Sequence, residues 1–188
     1  MTLRSVPPAS GRYGRASGPT QAGVLELGWE MFGELCRALA LKVSRSGYQP
    51  DLIVGIAKAG VIPGAVVASM LQCDFFSLKI SRRAGIERVR ERPKILSEAP
   101  HQAADRKVLI VDEICTTGET LRIALNALRN VRPAEVRTAT SLVRVGGYQP
   151  DYHAMETDDR IVFPWDRQIV TDDGELRENP LYAELLNT

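Results

Sequence analysis

Two adjacent carboxylates, Asp112 and Glu113, followed closely by Thr116-Thr117-Gly118-Glu119-Thr120, are the residues of this chain best arranged to do chemistry. The apolar run Val108-Leu109-Ile110-Val111, entered through Lys107, has the length and β-branched content of a buried strand, and it ends at the two acids. Leu121, Ile123, Ala124, Leu125 and Leu128 then recur at helical spacing. The order is strand, loop, helix N-terminus. A helix start offers unpaired backbone N–H groups and the positive end of the macrodipole, so a loop of Thr and Gly there can wrap a phosphate closely. The acids cannot serve that phosphate, because like charges repel, but they suit hydroxyl groups or a hard cation such as Mg2+. Together the two features describe a ligand with a phosphate at one end and a diol or a metal further in, which is a phosphorylated sugar. The plainer alternative is an ordinary strand-to-helix turn with solvated acids and Thr116 as a helix cap.

Apolar run, two acids, three variable residues and then Thr-Gly-x-Thr, here VLIVDEICTTGET, resembles the motif with which type I phosphoribosyltransferases bind phosphoribosyl pyrophosphate (PRPP). The resemblance implies an open parallel α/β sheet flanked by helices, with a small hood formed mainly by the C-terminal segment. It also implies transfer of a phosphoribosyl group to a heterocyclic base, with Mg2+ as cofactor. In that reading Asp112 and Glu113 hold the ribose hydroxyls, directly or through metal-bound water. Thr116, Thr117, Gly118 and Thr120 hold the 5-phosphate, with Cys115 and Glu119 also among the PRPP-binding residues. Purine members of the family commonly carry Asp where this chain has Thr116, and that carboxylate handles the proton on the base nitrogen. A hydroxyl with an ordinary pKa far above 7 cannot act as such a base. Either a lid acid such as Glu87 or Glu91 substitutes, the base binds already deprotonated, or catalysis is weak. A non-catalytic PRPP-binding regulator stays open as the alternative.

Several elements must position these groups. Residues 1–20, rich in Pro, Gly, Ser and Arg, cannot repay the entropy of ordering and read as a flexible tail, leaving 21–188 as one domain with a core to about 150 and a hood from about 151. Apolar positions from Val24 to about Arg45 recur at helical steps, with Trp29 among the expected core residues and an end near Gly47. Tyr48-Gln49-Pro50-Asp51 then turns into the strand Leu52-Ile53-Val54-Gly55-Ile56-Ala57. The letters GYQPD return at 147–151, which we read as shared strand-entry chemistry and not as a repeat.

After Ala57 come Lys58-Ala59-Gly60 and a helix with Pro63 in its first turn, a second strand, tight loop and helix able to hold an anion. By resemblance this is the pyrophosphate loop, with Ala57, Lys58, Ala59 and Gly60 on PRPP, Lys58 catalytic, and a cis peptide at Ala57-Lys58. A strand at 75–80 is followed by a long connection, 81 to about 104, carrying Arg82, Arg83, Arg88, Arg90, Arg92 and Lys94. Long loops in compact domains are usually functional or mobile. The family closes a flexible loop over PRPP here, making Arg82 and Arg83 the expected lid contacts. A further strand spans 135–145. With no short hairpin between strands, the sheet reads as parallel, and its ligand belongs beyond the strands' carboxyl ends.

Arg160-Ile161-Val162-Phe163-Pro164-Trp165-Asp166 resembles the segment that closes the hood over the base in xanthine- and hypoxanthine-type members. Ile161, Val162, Phe163 and Trp165 are then the base-binding candidates, with Ile161 the favoured stacker, and Asp166 joins Asp112 and Glu113 as a candidate metal ligand. The acidic stretch from 172 onward reads as a surface helix or strap.

Composition excludes other classes. Lys and Arg number 24 against 23 Asp and Glu, so no global charge argues for nucleic acid. Charge is uneven: 79–94 carries seven basic and two acidic residues, 156–188 nine acidic and three basic. Cys36, Cys73 and Cys115 have no metal-like spacing and an odd count, which fits reduced thiols in the cytoplasm; Cys115 reads as a small loop filler. No run approaches the roughly 18 apolar residues of a membrane span. His101 and His153 are isolated. The expected partners are therefore small molecules, PRPP and a nucleobase, with no nucleic acid and no membrane; dimers are common in the family, so a homodimer is among the expected assemblies.

Overall fold

The computed structural model describes residues 23–84 and 88–182, with 82–84 and 88–90 described as backbone. The tail expected at 1–20 and Glu87 lie outside the described residues. In chain order the elements are β1 (Val24–Glu26), α1 (Trp29–Arg45), β2 (Leu52–Ala57), α2 (Val61–Leu71), β3 (Asp74–Ala84), β4 (Arg88–Ile95), β5 (Lys107–Cys115), α3 (Glu119–Arg129), β6 (Glu135–Val143), β7 (Tyr152–Glu156), β8 (Arg160–Val162), β9 (Gln168–Val170) and β10 (Leu176–Glu178). Six strands form one sheet in the order β4-β3-β2-β5-β6-β7, parallel throughout except for β4. This is the flanked, mainly parallel sheet expected from the sequence.

Strand β5 lies inside the sheet, so both of its faces are covered, and it reads as a continuous apolar run instead of an alternation. Val108 and Ile110, with Leu52, Val54 and Ile56 of β2, pack under Leu121, Ala124 and Leu128 of α3. Leu109 and Val111, with Ile53, pack under Leu39 and Val43 of α1 and Val67 and Ala68 of α2. The alternation slips at the carboxyl end: Ile114 and Leu142 join Phe32 and Cys36 of α1, while Cys115 and Val143 join the α3 side. Val111 and Ile114 thus share a face at an odd spacing, and Asp112 and Glu113 occupy the slip.

Four local expectations need correction. Residues 24–26 are not the start of α1; they pair in parallel with β8, and Leu27 N–H donates to the Val162 carbonyl at 2.9 Å. Gly28 sits in extended conformation (φ −81°, ψ 163°) and separates strand from helix. Trp29 is 60% exposed, because it stands on the first turn of α1 beyond the packed face. The connection after β3 is largely an antiparallel ribbon, Arg83 opposite Val89 and Ala84 opposite Arg88, so a hairpin does join two strands. Arg88-Val89-Arg90-Glu91-Arg92 had the period of two that marks a strand, hidden by its charge. Finally, the acidic C-terminal stretch supplies the β9–β10 hairpin, and a helical turn opens at Pro180.

The three cysteines are free thiols, Cys36 and Cys115 buried, and burial pushes the Cys36 thiol up to about 11. Among the described residues no helix is long and apolar enough to cross a membrane.

Candidate functional site

Because β2 and β5 are neighbours, with Gly55 opposite Val111, the loops that follow them open side by side at one edge of the sheet. Gly60, at the N-terminus of α2, closely approaches Asp112 of the acid pair. A Cβ added there would lie 2.7 Å from Asp112 Oδ1, 2.7 Å from the Ile56 carbonyl and 2.8 Å from the Val111 carbonyl. Only glycine admits this approach. The loop is closed by Val61 N–H donating to the Lys58 carbonyl (3.2 Å) and Ile62 N–H to that of Ala59 (3.1 Å). The Ala57-Lys58 peptide is cis, Ala57 and Ala59 are half-buried, and Lys58 is exposed at the rim.

Asp112 is buried, and its Oδ1 accepts the Glu113 N–H at 3.0 Å. Burial, and after it the negative charge of Glu113, push the Asp112 carboxyl well above the usual carboxylate range. Glu113 is partly exposed. A hard cation would compensate this charge, and Mg2+ takes one or two carboxylates while keeping waters and substrate oxygens, so the pair fits it. On β6, Thr140 lies opposite Asp112, and the buried hydroxyls of Thr140 and Ser141 have no partner among the described residues.

The Thr loop lines a cavity of about 410 Å³ that runs from Asp112 and Glu113 through Cys115, Thr116, Thr117, Gly118 and Glu119 to Thr120 and Leu121. Gly118 (φ 74°, ψ 4°) caps α3 in the left-handed region, and Glu119 N–H donates to Thr117 Oγ1 at 3.4 Å. Cys115 is buried, its thiol donating to the Tyr148 carbonyl at 3.6 Å, which agrees with a packing role. Two residues that sequence reasoning passed over stand here, Arg144 and Tyr148, from the loop after β6. Arg144 pairs loosely with Asp158 at 3.9 Å. Only the repeated Gly-Tyr pair hinted at the second.

The hood segment divides by burial. Ile161 is half-buried, Val162 and Phe163 are buried, and Trp165 is half-buried. Phe163 and Trp165 stack on each other (4.7 Å between centroids, 8° between planes), and Phe32 of α1 meets Trp165 edge-on at 4.9 Å. These rings build the hood's own core. Asp166 is tied to the C-terminal segment: Asn179 Nδ2 donates to its carbonyl at 2.9 Å and the Tyr182 hydroxyl to its Oδ2 at 3.4 Å. Among the described residues no three His, Cys, Asp or Glu side chains gather into a metal-holding group. The side chains of Arg82 and Arg83 lie outside the described residues, and Glu91 is exposed on β4.

Comparison with known proteins agrees with this geometry. The purine phosphoribosyltransferase of Pyrococcus horikoshii superposes with a TM-score of 0.67 at 26% identity, covering 79% of this chain and 98% of that one. The xanthine-guanine phosphoribosyltransferase of Gluconobacter oxydans is 28% identical over 142 residues, 73% of this chain and 82% of that protein. The transcriptional regulator GfcR of Haloquadratum walsbyi is 29% identical over 138 residues, 69% of this chain, and the match spans only 62% of the regulator's length. The family model described as the phosphoribosyl transferase domain matches residues 28–171, a span that takes in the loops after β2 and β5, the acid pair and the hood strand β8, and the chain belongs to that family.

Proposed function

We propose that the protein transfers the 5-phosphoribosyl group of PRPP to a ring nitrogen of a heterocyclic base, purines foremost, releasing pyrophosphate. The observation that supports this reading is the close approach of Gly60 to Asp112, which brings the 58–60 loop beside the carboxylate that opens the Thr-loop cavity. Breaking the anomeric bond builds positive charge on the sugar and negative charge on pyrophosphate. The 57–60 loop and Lys58 meet the leaving group, Asp112 and Glu113 hold the ribose hydroxyls, and the backbone of 116–120 holds the 5-phosphate. Glu113 and Asp112 would hold Mg2+, which when bound would supply charge neutralisation at the pyrophosphate. The β3–β4 ribbon, with Arg82 and Arg83, covers the site and keeps water from the sugar cation. Ile161 faces the base, while Val162 and Phe163 act through backbone and packing. Three free thiols support a reducing, cytoplasmic setting.

Incubation with PRPP, Mg2+ and a panel of purine and pyrimidine bases, followed by measurement of pyrophosphate and nucleotide, tests the proposal. Nucleotide formation with an oxopurine is expected, and absence of PRPP binding overturns it. A second reading, a PRPP-binding regulator without turnover, is favoured by the hydroxyl at Thr116 and by the similarity to GfcR. PRPP binding without product from any base selects it.

A further inference from the structure

The pentapeptide Gly-Tyr-Gln-Pro-Asp at 47–51 and 147–151 does the same thing twice with its Asp: Asp51 Oδ2 accepts the Lys107 N–H, and Asp151 Oδ2 that of Thr138, each at 2.7 Å. Its tyrosines differ. Tyr48 is buried with its hydroxyl donating to the Val108 carbonyl at 2.8 Å, whereas Tyr148 lies half-buried against the outside of the phosphate loop.

That loop is fastened by its carbonyls. Arg144 N–H donates to the Cys115 carbonyl at 3.0 Å, and Tyr148 N–H donates to the Thr116 carbonyl at 2.9 Å. In a trans peptide the carbonyl and the N–H point opposite ways. Tying the Cys115 carbonyl towards β6 therefore turns the Thr116 N–H towards the side of β2, the strand that leads into the loop of Lys58 and Gly60. Tying the Thr116 carbonyl turns the Thr117 N–H away from Tyr148. An unfastened Thr116 carbonyl could rotate into the cavity, where its lone pairs would repel a phosphate.

Side chains hold the fastening in place. A Cβ at Gly147 would lie 2.6 Å from the Thr116 carbonyl oxygen, and one at Gly118 would lie 2.3 Å from Tyr148 Cγ. The Arg122 guanidinium, on α3, sits 5.0 Å from the centre of the Tyr148 ring. We propose that Tyr148, with Gly147, is a positioning device that keeps the N–H groups of the phosphate loop facing the ligand and so sets affinity for the 5-phosphate end of PRPP. The proposal rests on the phosphoribosyl transfer reading of the site. Tyr148 itself touches no reacting atom.

The test titrates PRPP, ribose 5-phosphate and pyrophosphate, each with Mg2+, into the wild type, Tyr148→Phe, Tyr148→Ala and Gly147→Ala. Tyr148→Phe should match the wild type, since its ring still covers Gly118. Tyr148→Ala should lose about tenfold or more in affinity for PRPP and ribose 5-phosphate, while pyrophosphate, held on the other loop, moves less than about twofold. Gly147→Ala should show the same selective loss, and it carries the test alone should Tyr148→Ala not fold. Unchanged ribose 5-phosphate binding, or equal loss of both fragments, overturns the proposal. A wild type that binds neither fragment removes the transferase reading and this inference with it.

Discussion

Asp112 is 7% exposed, hydrogen-bonded by a backbone N–H, and beside a second acid, an arrangement that costs stability unless a ligand compensates it. Folded Asp112 keeps its proton to a higher pH than the unfolded chain does, so the folded state binds more protons between the two pKa values and stability falls as pH rises through them. Asp112→Asn should therefore melt above the wild type at neutral pH in the absence of ligand, with the gap closing near pH 4, and should lose about a hundredfold or more in turnover. A variant that melts lower at neutral pH contradicts this account of the carboxyl. Thr116→Asp tests the proton step: activity on oxopurines should rise by about tenfold or more. An unchanged rate means that the proton leaves by another route. At this scale the acid pair and the Thr loop were readable because they are contiguous. Tyr148 was not, because its partners at 115–118 lie thirty residues away and only folding joins them.

The elements that carry the first loop were legible to within a residue, β2 as Leu52–Ala57 and α2 as Val61–Leu71, as the apolar pattern and Pro63 require. Strand β5, by contrast, runs through the two acids to Cys115, because paired carboxylates end an apolar run without ending the strand's hydrogen bonding to β6. Strand β1 was missed since three residues carry too little period to tell strand from helix, and its partner β8 is far along the chain. The β4 edge strand was read as a charged loop, because solvated edge strands lack the apolar side that marks buried ones. What binds the two loop elements into one site is Gly60. Gly60→Ala should push Asp112 and the Ile56 and Val111 carbonyls apart, costing about 1–3 kcal/mol by chemical denaturation and weakening PRPP binding. Gly28→Ala, with nothing within 4 Å of an added Cβ, is the control and should change neither. Equal behaviour of the two variants would mean that the close approach does not matter.

Over the whole molecule, the hood is fastened by the segment that runs from β1 into α1. Strand β1 pairs with β8, Arg167 pairs with Glu26 at 3.0 Å, and Phe32 of α1 meets the rings of Phe163 and Trp165. Phe32→Ala should cost about 3–5 kcal/mol and raise KM for the base more than for PRPP, since Phe32 meets the hood rings of Phe163 and Trp165 directly. An equal rise in both constants would place the hood's role elsewhere. This long-range closure could not be read from spacing, and the same holds for Asp166, which the C-terminal segment claims through Asn179 and Tyr182. The most direct test of the account is competition calorimetry: PRPP titrated with Mg2+ into the wild-type protein already loaded with ribose 5-phosphate or with pyrophosphate. One site with two anion loops predicts that each fragment alone weakens PRPP binding. PRPP binding unaffected by either fragment would contradict it.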